Sequence, residues 1–293
     1  IRTFTIDSTQ IEKKITEKTK AIYPVNLFGL PADLPKIQNI ASKYHLKIVE
    51  DCACGLGGKI GNIHCGLFGD GGILSFHPRK SITTGEGGMI ITSQRWIAEK
   101  AASLRDHGAV KTDYDRHHKK GSFLLTEYPV LGYNMRMTDF QGALGVAQSD
   151  KIEGIILKKQ KLAREYDERL KDIFWLESPL VPDGFKHGYQ TYCTLFKAEE
   201  TLKAIQKKEQ DKLDKLNRER NQIMSKLEDK GISTRQGTHA VHIQQLYKNK
   251  YDLKPMDFPA SYAADRLTVA LPFFPSITKE EIDYLFENLK KVF

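Results

Sequence analysis

The chain has 293 residues, 40% of them apolar and 28% charged, which is enough for one large domain with an appendage or two modest ones with ordinary globular cores. No apolar run reaches the ~18 residues of a membrane-spanning helix, and no signal-peptide pattern opens the chain. Lysine plus arginine exceed aspartate plus glutamate by 45 to 37, a formal charge of +8 that favours anionic partners; with no helix-turn-helix, zinc-finger or RNP-type pattern, a phosphorylated small molecule fits better than nucleic acid.

In chain order, KAIYPV (20–25) reads as a short buried strand that Pro24 ends. ADLPKIQNIASKYHL (32–46) spaces Leu34, Ile37, Ile40, Ala41 and Tyr44 by three or four and predicts an amphipathic helix. KIVED (47–51) is the next strand; GGILSF (71–76) and GMIIT (88–92) are further apolar runs bounded by glycine. QRWIAEKAASLRDHG (94–108) predicts a helix that stops at Gly108. This alternation points to an α/β domain with a largely parallel sheet. The basic KTDYDRHHKK (111–120) reads as an insertion whose His117 and His118 are solvated loop residues, so no metal site is expected, and 121–134 is loop-like. Residues 137–173 are strongly helical, opened by a Thr138–Gln141 capping-box pattern and broken near Gly154. A boundary there divides the chain into domains 1–154 and 155–293. GYQTYCTLFK (188–197) alternates like a strand, and 199–230 sets Leu202, Ile205, Leu213, Leu216, Ile223 and Leu227 at helical spacing in a solvated, mixed-charge stretch. Residues 279–293 close the chain as an amphipathic helix.

The chemistry gathers in the first half. IVEDCACGLGG (48–58) puts an acidic pair at the end of a buried strand. Ligands of open α/β sheets bind beyond the carboxyl ends of strands, which suits Asp51 to a ligand; a helix N-cap suits it equally. In GLFGDGGILSFHPRKSITTGEGGMI (66–90), the Ser75 hydroxyl and Lys80 amine flank a bend at Pro78, and Gly85, Gly87 and Gly88 allow a tight turn. A carboxylate at one strand end and a lysine after the next suit pyridoxal phosphate. The lysine forms a Schiff base with its aldehyde, the carboxylate keeps the ring nitrogen protonated, and a serine binds the phosphate. Any one of these alone is a common turn residue. Four cysteines, Cys52, Cys54, Cys65 and Cys193, show neither C-x-x-C nor zinc spacing, and so few in a chain this long point to a reducing, cytoplasmic compartment.

The segments YPVNLFGLPAD, IVEDCA, FGDGGILSFHPRK, TTGEGGMI, LRDHG, GYNMRMTDFQGALG and GISTRQGTHAVH together resemble the DegT/DnrJ-type sugar-nucleotide aminotransferases. The resemblance implies the PLP-dependent transferase fold (aspartate aminotransferase fold type I), a large, mostly parallel-sheet α/β domain with a smaller α+β C-terminal domain. It implies Lys80 as the catalytic Schiff-base lysine, Asp51 as partner of the pyridine nitrogen and Ser75 as a phosphate ligand. Asn134 is similar to an asparagine that reaches the phosphate of the neighbouring site in a homodimer with shared active sites. Arg235 and His239 resemble a loop lining the substrate pocket. The implied partners are glutamate as amino donor and a nucleotide-linked keto-sugar as acceptor.

The match departs from the family at two places. Cys54 takes a position that usually carries glutamine or histidine against the cofactor ring, and a thiol is a poorer hydrogen-bonding group; Asn26 replaces a usual histidine. The family also carries an N-terminal stretch, with a Gly-Thr phosphate turn and an aromatic that stacks on the ring, ahead of the point where this chain begins, so that part of the fold is expected to be absent. Two other readings follow: a catalytically silent or truncated member with a regulatory or assembly role, or a sugar dehydratase. The dehydratases resemble this chain but carry histidine in place of the lysine, so Lys80 opposes that reading.

Overall fold

The computed structural model describes residues 1–110 and 126–293, so the KTDYDRHHKK segment and its histidines lie outside the described residues. The chain forms two compact units: Ile6–Leu27 with Pro31–Glu153, and Gly154–Phe293 with Ile1–Thr5 and Phe28–Leu30.

The first unit begins with α1 (Ser8–Ile11), capped by the Asp7 side chain, then β1 (Ala21–Ile22) and α2 (Leu34–Lys43). Helix α2 buries Leu34, Ile37 and Ala41, one helical stripe, and stops where His45 takes a positive φ of 52°. β2 (Lys47–Asp51) follows, then a hairpin of β3 (Lys59–Ile60) and β4 (Ile63–His64), β5 (Gly71–Ser75) and β6 (Gly88–Ile91). The four-stranded sheet runs β1-β2-β5-β6, with β1, β2 and β5 parallel and β6 antiparallel at one edge. Its chain crossings between parallel strands leave the carboxyl ends of β2 and β5 side by side, with Asp51 opposite Ile73.

Helix α3 (Arg95–Arg105) ends before Gly108 because Asp106 leaves the helix to pair with Asn134, while Gly108 turns at φ +83°. Helix α4 (Asp139–Ser149) starts with the expected capping box: Thr138 Oγ1 accepts from Gln141 N at 3.3 Å and Gln141 Oε1 accepts from Thr138 N at 3.0 Å. The break in the long helical stretch falls at Asp150–Lys151 and not at Gly154, which sits inside α5 (Ile152–Leu170). A glycine costs a helix only about 1 kcal/mol, too little to stop one whose neighbours pack.

The second unit carries α5 from Gly154 onward, β7 (Leu176–Glu177), β8 (Phe185–Lys186), β9 (Cys193–Phe196), α6 (Ala198–Lys207), α7 (Gln210–Glu228), α8 (Gln245–Tyr251), α9 (Pro259–Leu267), β10 (Thr268–Ala270) and α10 (Lys279–Lys291). Its antiparallel sheet has the order β10-β9-β7. All four side chains of β9 are buried, so the strand is covered on both faces and only 193–196 of the alternating stretch is strand. The mixed-charge stretch divides into α6 and α7 at Lys208, which is left-handed. Leu213, Leu216, Ile223 and Leu227 of α7 are buried in a core with Tyr166, Trp175, Tyr192 and Phe196.

Candidate active site

The acidic pair at the end of β2 divides by strand geometry, since successive side chains face opposite ways. Glu50 is fully buried, and its carboxylate accepts the backbone N–H groups of Gly66 at 2.6 Å, Phe68 at 2.8 Å and Gly69 at 3.0 Å. Asn26, also fully buried, donates to Glu50 Oε2 at 3.2 Å and accepts from Ala32 N at 2.8 Å. Glu50 and Asn26 therefore staple loops under the sheet. Nothing in the sequence distinguished Glu50 from Asp51 except its place on the inward register of Ile48.

Asp51 faces the other way and is only partly buried. No helix follows it; its Oδ1 accepts from Ala53 N at 3.0 Å in an Asx turn, so it is not an N-cap. Its Oδ2 accepts from the Tyr23 hydroxyl at 3.4 Å. Burial, then the Asp51 charge, raise the Tyr23 phenol pKa. Asp51 pairs with Ile73 across the parallel ladder, and Ser75 lies two residues further along β5, so Asp51 and Ser75 share one sheet face at its carboxyl edge. The Ser75 hydroxyl accepts from His77 N at 3.3 Å, which leaves its own O–H free to donate.

Lys80 follows on the loop after β5. A turn fixes its backbone, with Lys80 N donating to His77 O at 2.9 Å. The loop closes on itself through Phe76 N to Gly87 O at 2.9 Å and Thr84 N to Phe76 O at 3.0 Å. Gly87 has φ +149°, and a Cβ there would lie 2.5 Å from Thr84 Oγ1, so the closure requires glycine. Helix α4 pins the loop from outside: Gln148 Nε2 donates to Thr83 O at 3.0 Å, Gln148 Oε1 accepts from Thr83 N at 3.1 Å, and Gln141 Nε2 donates to Glu86 O at 3.0 Å. The Lys80 amine donates to Cys54 Sγ at 3.2 Å, which joins the loop after β5 to the turn after β2.

Asn134 is exposed, and its backbone pairs with Asp106, whose carboxylate accepts from Arg136 at 2.6 Å. Arg235 and His239 belong to the second unit. Arg235 exchanges two backbone bonds with Ala270, at 3.0 and 2.7 Å, and Ala240 N donates to Asp265 at 2.8 Å. The loop between them is thereby fixed with both side chains exposed. Two grooves of about 470 and 440 Å³, one lined by Asp214, Arg218 and Arg266 and the other by Ile48, Phe68 and Asp70, include none of Asp51, Ser75 or Lys80.

This donor set fits pyridoxal phosphate: an amine on a fixed loop, a carboxylate and a hydroxyl at the carboxyl ends of adjacent parallel strands. Among the described residues no helix is long and apolar enough to cross a membrane.

Comparison with known proteins bears on the family and its cofactor. The family model described as DegT/DnrJ/EryC1/StrS aminotransferase family matches residues 1–290. The chain is 30% identical over 292 residues to GDP-perosamine synthase of Escherichia coli O157:H7, covering 99% of this chain and 70% of that protein. It is 28% identical over 291 residues to the spore coat polysaccharide biosynthesis protein SpsC of Bacillus subtilis strain 168, covering 99% and 71%. Among solved structures, PseC of Helicobacter pylori, an aminotransferase involved in pseudoaminic acid biosynthesis, superimposes with a TM-score of 0.83 at 26% identity, covering 100% of this chain and 72% of that one. With its parallel sheet, its lysine loop and a match along nearly its whole length, the chain belongs to the DegT/DnrJ/EryC1/StrS family of pyridoxal-phosphate-dependent aminotransferases.

Proposed function

We propose that Lys80, Asp51 and Ser75 hold the cofactor in this chain, and that the protein moves an amino group from glutamate to the keto group of a nucleotide-linked sugar, working as a cytoplasmic homodimer. The observation that carries this reading is the placement of Asp51 and Ser75 on one sheet face, at the carboxyl ends of adjacent strands, with the Lys80 amine on the loop that follows. Pyridoxal phosphate, when bound, supplies an electron sink for the carbanion left when the donor loses its α-proton.

The chain's own residues do the rest. Lys80 would take that proton from the donor's α-carbon and hold it for return, general acid–base work for which an amine on a short, pinned loop is suited. Asp51, oriented by Tyr23 and Ala53, holds a proton on the ring nitrogen. The Ser75 hydroxyl donates to the phosphate. The family resemblance assigns Arg235 and His239 to substrate binding. The relatives' activities on sugars support the substrate class, and the net charge of +8 suits a diphosphate-bearing sugar. Exposed apolar side chains before and on α4, including Leu131 at 89% and Phe140 at 92%, support a second copy on that face, where Asn134 also lies.

Borohydride reduction of the protein with pyridoxal phosphate, followed by peptide mass mapping, tests the reading. The expected result is a visible absorption band with the pyridoxyl label on Lys80. No band, or a label elsewhere, removes Lys80 from the role and leaves the chain a silent relative.

A further inference from the structure

The contact between Lys80 and Cys54 carries chemistry that transamination does not use. Lys80 Nζ lies 3.2 Å from Cys54 Sγ, and both side chains are partly accessible to solvent. Each backbone is fixed on its own side. Ala53 N is tied to Asp51 and Gly55 N to Cys52 O at 2.8 Å, while the His77–Lys80 turn holds the lysine. The other three thiols are shut away: Cys52 is 1% exposed, and Cys65 and Cys193 are 0% exposed. A hydrogen bond to Cys52, and burial, push the Cys65 thiol far up, and burial does the same for Cys193. An oxidant in solution therefore meets Cys54 first, because thiol oxidation follows access to the sulfur.

A sulfenic acid condenses with a nitrogen nucleophile held against it. At Cys54 that nucleophile is the Lys80 amine. We propose that Cys54 and Lys80 form a covalent sulfur–nitrogen bridge, driven by hydrogen peroxide and reversed by small thiols. In the first step the Cys54 sulfur attacks a peroxide oxygen and the O–O bond breaks. The sulfur loses two electrons to become a sulfenic acid, and the peroxide is reduced to one water. In the second step the unprotonated Lys80 amine attacks that sulfur, the S–O bond breaks, and hydroxide leaves with the amine proton as a second water. One thiol, one amine and one peroxide thus give one S–N bond and two waters. Two equivalents of a small thiol return both side chains and leave as a disulfide.

The bridge occupies the same amine that would carry the cofactor, so it is a reversible lock on the chain before cofactor loading. That consequence rests on the reading of Lys80 given above; the bridge itself does not. The test is to treat the protein with hydrogen peroxide, with and without prior loading with pyridoxal phosphate, and to digest it without reductant. The expected product is a Cys54 peptide joined to a Lys80 peptide, lighter than their sum by two hydrogens, with trypsin failing to cut after Lys80. It disappears after dithiothreitol and is missing from Cys54→Ser and Lys80→Arg proteins. If wild-type Cys54 runs on to sulfinic acid, or pairs with Cys52, with Lys80 still cleavable, the proposal is overturned. If the bridge forms equally with and without cofactor, the bridge stands and the cofactor role of Lys80 falls.

Discussion

Two adjacent carboxylates with different surroundings answer differently to the same substitution. Glu50 accepts three backbone N–H groups in a fully buried setting, so Glu50→Gln turns an amide donor toward at least one backbone donor whichever way it flips. A buried polar group left unpaired costs about 1–3 kcal/mol, and the lost charge weakens the remaining bonds, so a fall of about 3 kcal/mol in urea unfolding is expected. Asp51→Asn keeps the acceptor for Ala53 and sits half-exposed, so its unfolding free energy is expected to stay within about 1 kcal/mol of wild type while the cofactor's absorption and affinity change. Equal stability losses in the two proteins would contradict this division. His187 offers a pH-dependent case. Its ring is buried and stacked on Tyr189 at 4.0 Å, and its Nδ1 accepts the Tyr189 N–H at 2.8 Å, a bond that protonation destroys. Burial lowers its pKa from 6.5 to about 3. Between those two values the unfolded chain binds the proton and the folded chain does not, so His187's contribution is present above 6.5 and is lost as pH falls toward about 3. The slope from this one group is at most about 1.4 kcal/mol per pH unit. His187→Asn, which keeps an acceptor near Nδ1, is expected to flatten the drop in urea midpoint between pH 7 and pH 5; an unchanged drop would assign it to other groups.

At the scale of elements, α4 acts as the outer clamp of the lysine loop. Gln148 makes two bonds to Thr83 and Gln141 one to Glu86. Bonds of this kind contribute about 0.5–1.5 kcal/mol each, so Gln148→Ala is expected to weaken pyridoxal phosphate binding about tenfold, with the label still on Lys80. Unchanged affinity would show that the loop holds its shape without the helix. Thr138→Ala removes the cap of the same helix, at a cost of about 1 kcal/mol, and should act on the site in the same direction but less. Much of this was legible beforehand. The strands β5 and β6 are apolar runs bounded by glycine, and the cap of α4 is written in residue types, whereas the break in the helical stretch, expected at Gly154, falls at Asp150–Lys151. The hairpin of β3 and β4 was not, because two-residue strands are too short to alternate, although the Gly61–Asn62 turn marks it. The clamp itself was not legible either. Gln148 and Thr83 are 65 residues apart, and nothing local in either announces the other. Cys54 reads in sequence only as a poor stand-in for a better hydrogen-bonding residue, and its contact with Lys80 appears only once two separate turns are brought together.

At the scale of the whole molecule, the α4 face is where the proposed homodimer can be tested. Helix α4 buries none of its side chains, and Phe140, Val146 and the preceding Leu131, Tyr133 and Met135 are exposed, a concentration of apolar side chains that a soluble monomer rarely leaves uncovered. A two-fold partner on this face brings its own copy of the same patch, since the two surfaces of such a dimer are identical. If Asn134 of each copy then serves the Lys80 site of the other, two inactive proteins become active on mixing. Lys80→Ala lacks the amine in its own site, and Asn134→Ala lacks the group it would lend. In a mixed dimer one site receives both defects and the other receives neither. Refolding the two proteins together in equal amounts makes half the dimers mixed, so about a quarter of all sites regain both residues. The expected outcome is aminotransferase activity near that fraction of wild type in the mixture and almost none in either protein alone. Activity in Asn134→Ala by itself, or none in the refolded mixture, would mean that each site is completed within one chain. A Phe140→Glu protein that runs as a monomer in size-exclusion chromatography and fails to complement would place the shared interface on α4.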